Sequence, residues 1–495
     1  MGGDVDVALL AGSAVLLAAV AGVRLSSRLG VPSLLIYLAL GMLLGEDVIG
    51  LSFDNAELAR NLGLIALALI LAEGGLTTRW SEIRSSTPAA AVLATAGVAA
   101  SIGLTCVAAK LVLDSSWRTS ALAAAVLAST DAAAVFATLR HLRLPRRIVG
   151  TLEAESGLND APAVIVVTLL ASRHPDGLAH AALTVVYEIG LGAAIGLALG
   201  WAASVGLRRA ALPAAGLYPI ATLTCAMASY AAAAVAGASG FLAIYLTALW
   251  LGNARLPHRR STVGFANGIA WLAQIGLFVM LGLLVTPDRL GGAILPALAI
   301  GAALMLVARP ISVLLSTAAF CYSMREQVLL SAAGLRGAVP IVLATIPLTT
   351  HAPGAQRIFD IIFVLVALFT AVQAPLLAPL ARRLQLDTGS DGRDIDVDAA
   401  PLDRIDADLL TVRVPVGSRL HRVEVWELDL PAEASLVFII REGQGIVPEQ
   451  RTTLRERDDL MLVVPRPARD RVEERLRAVS RSGRLARFYG DRGES

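Results

Sequence analysis

The sequence predicts an all-α polytopic membrane protein with a small α+β domain at its C-terminal end, and three observations predict it. Of 495 residues, 56% are hydrophobic and only 17% charged, against about 25% charged in soluble domains, and mean hydropathy is +0.68. Apolar runs able to cross a hydrocarbon layer recur as far as residue 386, about 13 of them by the criterion of roughly 20 helical residues per crossing. Beyond that point the chain turns polar and acidic. Such a composition excludes a soluble globular enzyme. With 42 basic and 40 acidic residues the formal net charge is only +2, so no basic field exists to gather nucleic acid. Cys106, Cys225 and Cys321 lie far apart inside apolar runs, without metal-ligand spacing or a disulfide framework.

The predicted spans run near Val7 to Val23, Pro32 to Leu44, Leu58 to Leu76, Ala89 to Val112, Ser120 to Leu139, Ile148 to Leu170 and Leu178 to Leu207. They continue near Leu217 to Ala236, Gly240 to Leu251, Asn267 to Val285, Ala293 to Ser316, Gln327 to Leu348 and Ile358 to Leu380. Asp4 and Asp6 precede the first span in place of a basic region, and no A-x-A-like site follows it, so it is expected to stay uncleaved. Arginines concentrate in alternate loops, at Arg24 and Arg28, Arg79 and Arg84, Arg140 to Arg147, Arg208 and Arg209, Arg255 to Arg260, Arg325, and Arg382 and Arg383. Basic residues favour the cytoplasmic side. The pattern predicts an odd number of spans, the N-terminus outside and the C-terminus in the cytoplasm.

Residues 1–384 form the predicted membrane domain, and residues 385–403, studded with Asp387, Asp391, Asp394, Asp396, Asp398 and Asp403, a solvated acidic linker. Residues 404–479 form the predicted soluble lobe. Its strand signals are Thr411 to Val416, Ser435 to Ile440 before Gly443 and Gly445, and Leu460 to Val464 before Pro465. A helix over Ala468 to Val479 carries Val472, Leu476 and Val479 at helical spacing. Residues 480–495 are a polar tail.

Ionisable groups inside spans are costly and mark candidate functional sites. The third span holds Glu73, the fifth Asp131 within Ser129-Thr130-Asp131, the sixth Glu155-Ser156-Gly157-Leu158-Asn159-Asp160, and the twelfth Gly334-Leu335-Arg336-Gly337 before Pro340. Ser, Thr and Asp compete with the backbone for hydrogen bonds, and Gly and Pro disfavour helix. The fifth and twelfth spans are therefore expected to be discontinuous and to cross near the membrane midplane. Breaks at corresponding places in two halves mark the binding site in transporters built from inverted repeats. Spans four to six and eleven to thirteen would be the matching triplets, with Asp131 and Arg336 compensating the half-helix dipoles.

On the sixth span Glu155 and Asp160 are five residues apart, about 140° round the helix, so they are given separate roles. Asp160 with Ser156, Thr130 and Glu73 would offer oxygen ligands to a monovalent cation, Asn159 standing beside them. Glu155 is expected to pair with Arg336, since neither charge is tolerated alone in that layer. Arg309, before Pro310, is a structural charge whose partner the sequence does not name.

Those motifs, with Gly41 to Asp47, Glu73-Gly74-Gly75-Leu76 and Leu335 to Ala344, resemble the bacterial monovalent cation/proton antiporters of the cation-proton antiporter superfamily. The similarity is greatest to the potassium/proton branch with a cytoplasmic tail, and it covers essentially the whole membrane part. The resemblance implies a multi-pass homodimer of the cytoplasmic membrane, with a dimerisation domain and a moving six-helix core. It implies a cation site at Asp160, Thr130, Ser156 and Glu73, a core pair at Glu155 and Arg336, and no cofactor. It also implies electroneutral exchange, as in members with Asn-Asp at Asn159-Asp160, and a role in pH homeostasis. Potassium is favoured over sodium, although Ala72-Glu73 departs from the family's usual Phe followed by an acid. The soluble lobe is weakly similar to the ligand-binding lobe of potassium-transport regulators, which implies a small-molecule ligand; it has no dinucleotide fingerprint. Antiport requires one site that cannot hold both ions and cannot cross empty, which a single buried carboxylate provides. A regulated cation channel is the rival class, but no carbonyl-filter motif occurs.

Overall fold

The computed structural model describes residues 2–29, 32–45, 53, 55–130, 142, 144–172, 178–254, 256–387, 396–402 and 407–483. It divides into two compact units, Met1–Thr388 and Gly389–Ser495.

The elements of the first unit are helices. Its elements are α1 (Gly2–Leu29), α2 (Ser33–Leu44), α3 (Ala56–Thr77), α4 (Thr87–Leu113), α5 (Trp117–Val126), α6 (Arg146–Ala171) and α7 (Leu178–Arg209). There follow α8 (Leu217–Val235), α9 (Gly240–Asn253), α10 (Arg259–Leu283), α11 (Pro287–Phe320), α12 (Met324–Ala332), α13 (Ala338–Thr349) and α14 (Ala355–Arg383). Eight of these runs are long and apolar enough to cross a membrane: α3, α4, α6, α7, α8, α10, α11 and α14. Local chemistry sets several starts. Asn55 caps α3 by accepting from Leu58 N at 2.8 Å, Ser116 caps α5 by accepting from Thr119 N, and Ser323 with Glu326 closes a capping box on α12; each satisfies N–H groups that helix geometry leaves over.

The helices pack in two groups. In one, α9 lies against α3, α7 and α8, and α10 against α2 and α3. In the other, α4 packs on α5, α6 and α11, while α14 packs on α11 and α13. Two helices of the second group carry a π turn, α4 at Leu93–Gly97 and α11 at Leu304–Ala308. They meet where Ser312 Oγ donates to the Gly97 carbonyl at 2.7 Å. π turns free backbone groups and are common at functional sites.

One interruption and one helix end fall where the sequence expects breaks. Helix α5 ends at Val126, and Ser129 and Thr130 are non-helical; Asp131 and the rest of that predicted span lie outside the described residues. Helices α12 and α13 are the two halves of one predicted span, parted by Ala333 to Gly337.

The second unit is a five-stranded antiparallel sheet with a helix. Its strands are β1 (Asp396–Leu402), β2 (Ala407–Arg413), β3 (Ser435–Arg441), β4 (Gln444–Ile446) and β5 (Asp459–Pro465), in the order β1-β2-β5-β3-β4. Alternate residues of β5 are buried, the period of a half-buried strand. Leu460, Leu462 and Val464 join Leu410, Val412 and Ile439 in a core with Val472, Leu476 and Val479 of α15 (Arg469–Ser482). One boundary is corrected. Part of the stretch expected to be linker, Asp396–Leu402, is strand β1, paired residue by residue with β2. Its acidic residues read as solvated, but β1 is an edge strand, where polar side chains and Pro401 are compatible with one-sided pairing.

Candidate functional site

Helix α6 carries most of the site. It runs unbroken past Pro162, whose missing N–H leaves the Leu158 carbonyl without its usual partner. Asp160 on it is 4% exposed and Asn159 fully buried. Both lie beside the end of α5: Asn159 Nδ2 donates to Thr130 Oγ1 at 2.6 Å, and Ser156 Oγ donates to the Thr130 carbonyl at 2.8 Å. Spacings of three and four bring Ser156, Asn159 and Asp160 to neighbouring positions. Their contacts support backbone that the interrupted helix leaves unsatisfied. Asn159 Oδ1 and Ser129 Oγ are buried oxygens with no hydrogen-bond partner among the described residues. The structure thus brings Thr130, half-buried Ser156 and buried Asn159 together, with buried Asp160 beside them by helix spacing, a set rich in oxygen, the ligand type for hard cations.

Arg336 reaches the end of α5. Its Nη1 donates to the carbonyls of Ala128 and Ser129, at 3.1 and 2.5 Å, placing a cation at the negative C-terminal end of a half-helix. It is buried and lies within electrostatic reach of Asp160 and Glu155. The expected Glu155–Arg336 pair, however, is not what forms. Glu155 is held by Arg309 in a two-pronged ion pair, Nη1 to Oε1 at 2.5 Å and Nη2 to Oε2 at 2.8 Å. Arg309 also donates to the Leu330 carbonyl at 3.4 Å. Arg309 follows the π turn of α11 directly, whereas Arg336 has backbone carbonyls to satisfy. Each interrupted segment therefore has its own arginine: Arg336 on the end of α5, Arg309 near the end of α12.

Helix α14 serves the second break as α6 serves the first. Thr370 Oγ1 donates to the Arg336 carbonyl at 3.0 Å, and Gln373 Nε2 donates to the Ala332 carbonyl. A hydroxyl and an amide three residues apart, Thr370 and Gln373, repeat the Ser156 and Asn159 arrangement. That spacing stood in the sequence unnoticed. Glu73 is half-buried one turn before the end of α3.

A helical membrane unit with one helix parted between α12 and α13, buried arginines there and at the end of α5, and a buried carboxylate among oxygens is that of a secondary-active transporter rather than an enzyme. The sodium/hydrogen exchanger transmembrane family model matches residues 15–383, and the chain belongs to that family of cation/proton antiporters. It is 33% identical over 500 residues to the K(+)/H(+) antiporter NhaP of Alkalimonas amylolytica, covering 98% of this chain and 86% of that one. It is 36% identical over 497 residues to K(+)/H(+) antiporter NhaP2 of Shewanella sp. (strain ANA-3), covering 98% and 85%. Its fold matches that of the sodium proton antiporter MjNhaP1 from Methanocaldococcus jannaschii at 22% identity and a TM-score of 0.66, covering 76% of this chain and 99% of the other.

Proposed function

We propose that the chain exchanges potassium, in preference to sodium, for protons at Asp160, one for one, by alternating access. The observation that carries this is the set at the end of α5, where buried Asp160 is, among the described residues, the carboxylate beside Thr130, Ser156 and Asn159. A cation and a proton compete for it because each neutralises the same charge. Potassium is favoured because the relatives that match nearly the whole chain are called K(+)/H(+) antiporters. Glu73 and Asp131 are further ligand candidates, Glu73 completing the site if the core moves toward α3.

Two inverted repeats, α4 to α6 and α11 to α14, form the moving core. Each triplet has a π turn in its first helix ahead of the break, at Leu93–Gly97 before the end of α5 at Val126 and at Leu304–Ala308 before the end of α12 at Ala332. The paired roles of Ser156 with Asn159 and Thr370 with Gln373 support the same correspondence. The remaining helices, α1 to α3 and α7 to α10, form the scaffold of a homodimer; α7 exposes Leu183, Val186, Tyr187 and Trp201 to lipid or to a second copy. About 13 spans, the N-terminus outside and the C-terminal unit in the cytoplasm complete the arrangement, on the arginine bias of alternate loops. A small-molecule ligand of the C-terminal unit would regulate exchange.

Asp160→Asn is nearly isosteric but can neither lose a proton nor offer a charge. In proteoliposomes it should abolish potassium-driven dequenching of a pH dye while the protein stays folded. Undiminished exchange would remove Asp160 from the mechanism.

A further inference from the structure

Glu153, Gly157 and Asp160 stand at i, i+4 and i+7 on α6 and so share one stripe, with Glu153 nearest the arginine-bearing end at Arg146. On that stripe Gly157 is covered by Tyr245 of α9. A Cβ at Gly157 would fall 2.2 Å from the ring carbon Cζ and 2.7 Å from the hydroxyl oxygen, so only glycine lets the phenol lie there. Tyr245 is 4% exposed, and its hydroxyl makes no hydrogen bond to a described residue. The Thr78 side chain is beside it but donates to the Gly74 carbonyl at 2.8 Å. A buried phenol normally has a partner. Glu153 is half-buried one helical turn before Gly157, the residue over which the Tyr245 hydroxyl lies.

We infer that Glu153 and the Tyr245 hydroxyl form an ante-site for the transported cation on the cytosolic approach to Asp160, with the Tyr245 ring on Gly157 separating the two sites. This rests on the exchange and sidedness proposed above. A carboxylate and a neutral phenol oxygen suit a partly dehydrated monovalent cation, for which oxygen ligands are the rule. Tyr245 belongs to the scaffold group and Gly157 to the core group, so a rocking core slides the ring off the stripe and opens the step from Glu153 to Asp160.

The test uses the full-length protein in oriented proteoliposomes, with potassium chloride or sodium chloride added to one face at a time. Glu153→Gln should raise the KM for the cation about three- to fivefold from the cytosolic face, the effect of one partly screened charge. Its KM from the opposite face and its maximal rate should stay the same. Tyr245→Phe keeps the packing and should raise the same KM, less than additively with Glu153→Gln. An unchanged cytosolic KM in both variants, or equal rises from both faces, overturns the ante-site. Loss of exchange in the unaltered protein, or retention of it in Asp160→Asn, would instead defeat the exchange reading itself.

Discussion

At the scale of single residues the charges in the membrane unit decide stability as well as transport. Glu155 and Arg309 are 1% and 5% exposed along their side chains, so removing either strands the other in a medium that cannot solvate it. Glu155→Ala and Arg309→Ala should each destabilise by about 3–5 kcal/mol, and the double change should cost less than their sum. Thermal unfolding of purified protein in detergent measures the cycle. The Glu155–Arg309 coupling should exceed the Glu155–Arg336 coupling; the reverse order would restore the pairing expected from sequence. Arg336→Ala acts differently, exposing the Ala128 and Ser129 carbonyls at the end of α5, and should lower exchange as well as stability.

Among elements, the break between α12 and α13 depends on close packing that one glycine permits. A Cβ on Gly334 would lie 2.8 Å from Arg309 Nε and 3.3 Å from Cζ, pushing the guanidinium off Glu155. Gly334→Ala should therefore cost about 1–3 kcal/mol, the usual range for overpacking, and lower the yield of folded protein. Gly103→Ala on α4, where nothing lies within 4 Å, should be neutral or stabilise by up to about 1 kcal/mol through helix propensity. Fluorescence-detected size exclusion with thermal challenge compares them; equal effects would mean that the break does not depend on this packing. Strands β2, β3 and β5 and the helix after them were legible from alternation and helical spacing. Strand β1 was not, because it is set by pairing with β2 rather than by a hydrophobic pattern of its own.

For the molecule as a whole, net charge predicts stoichiometry. On the one-for-one exchange proposed above, a cation and a proton each bring one positive charge to the same carboxylate, so the core carries the same charge in both directions. In proteoliposomes under an imposed diffusion potential, with the test cation equal on both sides, no proton movement should follow the voltage, whereas a pH gradient should drive exchange. Voltage-driven proton uptake would bring a second carboxylate, Glu73 or Asp131, into the cycle. Truncation after Thr388, the boundary between the two compact units, should leave exchange intact and change its regulation. It keeps the Arg382–Asp387 contact and the Leu386 N to Ala381 carbonyl bond that finish α14, so loss of transport with normal insertion would make the second unit part of the transport machinery.

Whatever depends on composition and local order was determined by the sequence alone. Apolar runs must become helices because lipid offers the backbone no partners. The Gly-Leu-Arg-Gly and Ser-Thr-Asp stretches cannot continue a helix cheaply, and Ser156, Asn159 and Asp160 share a region of α6 by spacing. Partnership across the bundle was decided only in three dimensions. Two buried arginines lie within electrostatic reach of Glu155, and the two-pronged ion pair goes to Arg309 of α11. Thr370 and Gln373 acquire meaning only once α14 lies against the second break, and Tyr245 reaches Gly157 from a helix more than eighty residues further along the chain. Such contacts depend on how rigid helices pack, which no local pattern encodes.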